Sequence, residues 1–322
     1  MNKLKLIFIG TPDFALPSLE DLLHDRDFEV AGIITQPDKK SGRRQILTPP
    51  PVKLLALKYG LPVWQPEKIR DFEIGVHDLD FVIVAAYAQI IPASILGLPR
   101  FGGVNVHGSL LPKYRGASCV AAAILNGDKK SGITIMKMDE HLDAGPILHQ
   151  AELPIALDET TLSLYEKLSR LGGQALPGVL KKYAAGLIAP RAQDDEKASY
   201  VRMFEKDDGR INWIRPAIEL ERFVRAMHPW PGAWTEIKKD DRLLKVKISA
   251  ARVIVEESGF QLGEIFAKAG SPAVRCGKDS LLLDSVQPEG KREMSGPEFL
   301  RGNAWIIEKN LAVTRFNDTT SR

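Results

Sequence analysis

The first half of the chain alternates short apolar runs with segments of mixed polarity. LKLIFIG, FEVAGIITQ, LPVWQP, DLDFVIVAAY, GGVNVHG and SGITIMKMD have the length and side-chain types of β-strands. DLDFVIVAAY is almost continuously apolar, the pattern of a strand covered on both faces of its sheet. Between these runs, PDFALPSLEDLLHD, PVKLLALKYG and ASCVAAAILNGD read as helices. Regular alternation of strand and helix predicts an α/β fold with a doubly wound sheet. A longer helix is expected after Asp158, which serves as a plausible N-cap. Leu162, Tyr165, Leu168, Leu171 and Leu176 recur there at helical spacing, and Gly172, Gly173 and Pro177 suggest an interruption or kink.

From Leu187 to Lys206 the chain turns polar and reads as a linker. Beyond it, EIKK, LLKVKISAARVIV, GEIFAKAG, PAVRCG and SLLLDSVQP are strand-like runs divided by Gly, Pro and charge. They predict a small β-barrel or related all-β domain. The expected organisation is a first domain over 1–188, a linker over 189–206 and a second domain over 207–322. No internal repeat is visible.

Composition adds limits. A chain of 322 residues accommodates one large or two ordinary domains, and 44% hydrophobic with 26% charged residues is ordinary for a soluble globular protein. The net charge of +3 permits an anionic partner without demanding one. Cys119 and Cys276 form no CxxC pair, so neither a disulfide framework nor a zinc site is expected, and a reducing compartment fits. The opening MNKLKLIFIGTPDF has too short an apolar run for a signal peptide or a membrane span. The expectation is a cytoplasmic protein.

Doubly wound sheets bind ligands outside the carboxyl ends of their strands. Asn105 and His107 lie near such an end, two residues apart and therefore on one face. An amide donor and an imidazole converging there suit a carbonyl oxygen as it becomes an oxyanion. The next strand leads into DEHLDAGP, which supplies Asp139, Glu140 and Asp143. A carboxylate there would orient the imidazole and favour its charged form. Each residue alone has a plainer reading: local backbone partners for the Asn and His, a turn for Asp143. Their common expected position, at the carboxyl edge of adjacent strands, is what favours a site.

Three other segments bear on chemistry. The first βα turn, GTPDFA, lacks GxGxxG and reads as a tight turn rather than an NAD site. QPDKKSGRRQILTPPPVK is either a solvated loop or an arm that reaches nucleic acid through Lys39, Lys40, Arg43 and Arg44. In the second domain, Lys238, Lys239, Arg242, Lys245 and Lys247, with Lys291 and Arg292, allow a basic face. Trp213, Trp230 and Trp234 are stacking candidates whose commoner role is core or interface.

NVHGSLLPKYRG followed by GITIMKMDEHLDAGPIL resembles the folate-dependent formyltransferase family. The resemblance implies a Rossmann-like catalytic domain, a small C-terminal β-barrel of OB-like form, and an Asn-His-Asp trio that falls on Asn105, His107 and Asp143. It implies 10-formyltetrahydrofolate as co-substrate, with no metal. The folate would meet Tyr87, Gln89 and Ile91 in VIVAAYAQIIP, and Ser109, Leu110, Leu111 and Pro112 in GSLLPKYRG. IFIGTPDFALPSL, TQPDKKSGRRQILTPPPVK and GRINWIRPAIELERFVRAMHPWPGAWTEI are similar to the members that formylate initiator methionyl-tRNA. That likeness implies tRNA contacts at Lys39, Lys40, Arg43 and Arg44, and a monomeric enzyme away from membranes. The chain departs from the family pattern in RGASCVAAAILNGD and at His141, Ala144 and His228. The departure beside Asp143 raises the question of that loop's geometry.

Overall fold

The computed structural model describes residues 3–42, 45–255 and 259–311. The chain divides into two compact units, one of residues 1–120, 130–154 and 164–201, the other of residues 121–129, 155–163 and 202–322.

In chain order, the strands β1 (Leu4–Gly10), β2 (Phe28–Ile34), β3 (Lys39–Ser41), β4 (Ile46–Thr48), β5 (Val63–Trp64), β6 (Phe81–Ala85), β7 (Gly103–His107), β8 (Arg115–Gly116), β9 (Lys130–Lys137), β10 (Ile147–Pro154) and β11 (Tyr200–Val201) belong to the first unit. The helices along this stretch are α1 (Leu16–His24), α2 (Pro51–Lys58), α3 (Ala93–Leu96), α4 (Cys119–Leu125) and α5 (Thr161–Ala184). Seven strands form one sheet in the order β10-β9-β7-β6-β1-β2-β5. The five from β5 to β7 run parallel, while β9 is antiparallel to both β7 and β10. Every residue of β6 is buried, as its unbroken apolar run requires.

The long helix departs from expectation in two ways. Its N-cap is Thr160, whose Oγ1 accepts the Ser163 amide at 3.2 Å, while Asp158 is exposed two residues upstream. It also runs uninterrupted for 24 residues through Gly172, Gly173 and Pro177. The glycines serve packing instead: a Cβ on Gly172 would come within 2.7 Å of Val106 Cγ1 on β7. The helix can therefore lie close against the strand that carries Asn105 and His107.

Two further elements depart from the sequence pattern. The basic loop contains the β3–β4 ladder, with Lys39 opposite Thr48 and Lys40 opposite Leu47. The polar segment after α5 is fixed along much of its length: Arg191 pairs with Ile147, and β11 runs parallel to β8.

The second unit holds α6 (Ala217–Ala226), β12 (Ala233–Lys239), β13 (Arg242–Ile254), β14 (Ile265–Lys268), β15 (Ser271–Arg275), β16 (Ser280–Pro288), β17 (Met294–Ser295) and α7 (Gly296–Gly302). Its strands are antiparallel throughout, in the order β12-β13-β16-β15-β14 with β17 on β16, and form a half-barrel sheet. Register shifts around Ala250 bend β13, the longest strand. Trp213 is a core residue, 1% exposed, donating from Nε1 to Thr235 Oγ1 at 3.1 Å. Trp234 is buried with Lys245 Nζ 3.4 Å from its ring centroid, whereas Trp230 is exposed.

Candidate active site

Asn105 and His107 project from one face of β7, as two-residue spacing demands, and Asp143 meets both. Asn105 Nδ2 lies 3.5 Å from Asp143 Oδ1, and His107 Nδ1 lies 3.6 Å from Asp143 Oδ2. The same Oδ2 accepts the Gly116 amide at 2.8 Å. Asp143 does not arrive from the carboxyl edge beside β7, as expected from the sequence. Because β9 is antiparallel, its last residue, Lys137, pairs with Val104 at the start of β7. The loop from Met138 to Pro146 must turn back to bring Asp143 to the histidine. It does so with Asp143 itself at φ 50°, a left-handed conformation that aspartate tolerates better than most residues. Close approach also fixes Gly145, where any Cβ would overlap the Lys137 carbonyl oxygen.

The histidine's protonation follows from its neighbours. Nε2 lies 3.1 Å from the Tyr114 carbonyl oxygen, which can only accept, so Nε2 carries a proton. Nδ1 faces a carboxylate, which favours a second proton. Burial opposes the charged form. The Cys119 sulfur, the Asp143 carboxylate and the Tyr114 carbonyl outweigh it and raise the His107 pKa from 6.5 to about 9. These surroundings favour the imidazolium form of His107.

The segment expected to receive folate is held by a buried polar staple. Ser109 Oγ donates to Lys113 O at 2.6 Å, closing the turn. Thr134 Oγ1 donates to Ser109 O and accepts the Leu111 amide, and Gln150 Nε2 donates to both Leu111 O and Thr134 Oγ1. Leu111 packs with Met136 and Ile147, while Leu110 and Pro112 stay half-buried. At the other segment, Tyr87 and Ile91 belong to the apolar core, and burial raises the Tyr87 pKa. Gln89 spends its side chain locally, accepting from the Ile69 amide and donating to Glu67 O. Any recognition along 86–91 falls to the backbone and to the exposed Ala86, Ala88 and Ile90.

In the basic loop, the exposed Lys39 and Lys40 sit on β3; Arg43 and Arg44 lie outside the described residues. His141 does not disturb the trio. Its side chain is 72% exposed and nearest to Asp139, whose carboxylate accepts the His141 amide.

Several site residues are hard to find in the sequence. Thr134 is detectable as the polar residue inside the apolar run Ile133 to Met136. Tyr114 contributes only a carbonyl, and Gly116 only an amide, so neither advertises itself. Arg115, 2% exposed, and Gln193 are hidden in a basic triplet and a polar stretch. Among the described residues, no cluster of three or more His, Cys, Asp or Glu side chains is arranged to hold a metal ion. Nor is any described helix long and apolar enough to cross a membrane.

Comparison with known proteins places the chain. The profile of the formyl transferase family matches residues 4–180, and that of the formyl transferase C-terminal domain matches residues 203–304. The methionyl-tRNA formyltransferase of Myxococcus xanthus is 43% identical over 307 residues, covering 94% of this chain and 96% of the relative. That of Roseiflexus sp. is 42% identical over 304 residues, covering 93% and 92%. Among solved structures, an N-formyltransferase from Helicobacter canadensis, in complex with folinic acid and dTDP-3-aminofucose, superposes with a TM-score of 0.64. It shares 19% identity, with 88% of this chain and 99% of that chain covered. HypX from Aquifex aeolicus, in complex with tetrahydrofolic acid, gives a TM-score of 0.59 at 16% identity, covering 92% of this chain and 46% of that one. At these identities the two structures speak for the fold.

Proposed function

The chain belongs to the formyl transferase family, and we propose that it transfers the formyl group of 10-formyltetrahydrofolate to the α-amine of methionine on initiator methionyl-tRNA, for translation initiation. The identity of more than 40% across nearly the full length of the tRNA-formylating relatives supports that acceptor. The observation that carries the chemistry is the convergence of Asn105, His107 and Asp143.

The neutral amine attacks the formyl carbon. A new C–N bond forms, the carbonyl oxygen gains the electron pair, and the bond to the folate N10 then breaks. Asn105 Nδ2, whose hydrogen bond to Asp143 is long, supplies a hydrogen bond to the oxyanion. His107 has both ring nitrogens turned to protein acceptors, so it contributes positive charge rather than a direct hydrogen bond. Asp143 holds that charge in place and receives the proton the amine sheds, which leaves on the departing N10. The formyl-folate lies against the backbone of 86–91 and the stapled turn of Ser109 to Pro112. Lys39 and Lys40, with Arg43 and Arg44, hold the acceptor arm through its phosphates. The enzyme acts as a monomer in the cytoplasm.

The test is transfer of labelled formyl from 10-formyltetrahydrofolate to methionyl-tRNA by purified protein, with a dTDP-aminosugar as the competing acceptor. Formyl-methionyl-tRNA as the main product supports the reading; formylation of the sugar alone overturns it.

A further inference from the structure

Gln193, in the polar stretch between α5 and β11, reaches the backbone of the loop that carries Asp143. Its Nε2 donates to the carbonyl oxygens of Asp143 and Gly145, each at 2.8 Å. Its Oε1 accepts twice from Arg115, from Nε at 3.2 Å and Nη2 at 2.9 Å. The amide is thus fully oriented: exchange of its oxygen and nitrogen would set donors against donors and acceptors against acceptors. Arg115 is itself fixed. It is 2% exposed, donates from Nη2 to Asp195 Oδ1 at 2.6 Å and from Nη1 to the Tyr200 hydroxyl at 2.9 Å.

The same polar stretch holds the other side of the site. Ser199 Oγ accepts the Tyr114 amide at 2.9 Å, and Ser199 O accepts the Arg115 amide at 2.8 Å. Tyr114 is the residue whose carbonyl binds His107. One strap therefore fixes the backbone partner of the histidine and the peptide of the aspartate.

We infer that Gln193 is a positioning residue, whose side-chain amide clamps the peptides of Asp143 and Gly145 and so holds the Asp143 carboxylate against His107 and Asn105. A left-handed aspartate on a returning loop needs such a clamp. Its two carbonyls would otherwise be free to reorient, and a shift of about 1 Å in a catalytic group costs up to about 100-fold in rate. The kinetic part of this inference rests on the proposed formyl transfer; the geometric part does not.

The deciding variant is Gln193→Glu. It keeps the length of the side chain and strengthens the pairing with Arg115, but puts an oxygen where the two carbonyls need a donor. If Gln193 served only to seat Arg115, this variant would be unharmed. We expect its turnover to fall between about 10- and 100-fold, with the KM for formyl-folate changed less than about twofold. In parallel, NMR titration of the His107 ring should show its midpoint falling by about one pH unit as the carboxylate withdraws. Gln193→Met, which loses donors and acceptor together, should show the same fall in midpoint. Wild-type turnover with an unmoved His107 titration in Gln193→Glu would overturn the inference. If the wild-type protein formylates no acceptor, the proposed function fails. The titration then still decides the clamp: a lowered midpoint supports it and an unmoved one overturns it.

Discussion

Asp143 faces His107 across 3.6 Å, although the strand leading to the aspartate runs antiparallel to the strand bearing the histidine. The pairing is made by a loop that doubles back, with Asp143 at positive φ and its carboxylate caught by the Gly116 amide. Charge and position are concentrated in one side chain, the one proposed to accept the proton.

Removal of that charge is the most direct test. Asp143→Asn keeps the shape but no longer holds an imidazolium or accepts the amine proton. Turnover should drop by at least about 100-fold while the thermal melt shows a folded protein. Near wild-type initial rates would sink the mechanism.

The histidine gives a pH signature. Its pKa is about 9 in the fold against 6.5 in the unfolded chain. The fold binds the proton more tightly, so the stabilisation is complete below about pH 6.5 and is lost as pH rises through about 9. The difference in unfolding free energy between wild type and His107→Asn, from urea titrations, should therefore shrink from pH 7 to 9.5. A difference that stays constant across that window contradicts the charged assignment.

Thr134 tests the folate turn. Thr134→Val preserves volume but strands the Leu111 amide and leaves Gln150 with one acceptor fewer. Stability should fall by about 1–3 kcal/mol. The KM for formyl-folate should rise with a smaller change in turnover, since the proposal gives binding to the turn and reaction to the trio. The reverse pattern in steady-state kinetics would separate Thr134 from folate binding.

The charged loop predicts a salt effect. A Lys39→Ala, Lys40→Ala double variant should weaken methionyl-tRNA binding while leaving formyl-folate KM unchanged. Binding measured against salt should show a slope reduced by about one for each lysine–phosphate pair removed. Equal losses toward both substrates would argue against this assignment.

The parallel strands are legible because each is centred on a short, mostly apolar run, unbroken and buried on both faces in β6. β10 is not legible as a strand: beyond Ile147 and Leu148 it is exposed or half-buried, so it lacks that signature. Asn105 and His107 can be placed on one face by spacing alone. The direction of β9 cannot, because the sense of a ladder belongs to the partner strand and not to the sequence of either. Gln193 is disguised for a related reason. Its neighbours are as polar as those of a linker, and only the folded chain brings the amide to two backbone carbonyls. The expected kink in α5 fails on packing: Gly172 answers to β7 and Gly173 to Pro17 of α1, not to the helix axis.

The returning loop has one more consequence. Lys137 donates to the Pro146 carbonyl, and Met136 pairs with Ile147, so the excursion leaves and re-enters the sheet at adjoining positions. Its mouth is shut regardless of what lies at its tip. His141 and Leu142, both exposed, can be replaced or the tip lengthened without shifting the register of β9 against β10. The carboxylate proposed to be catalytic thus rides on a loop anchored at its base and exposed at its crown.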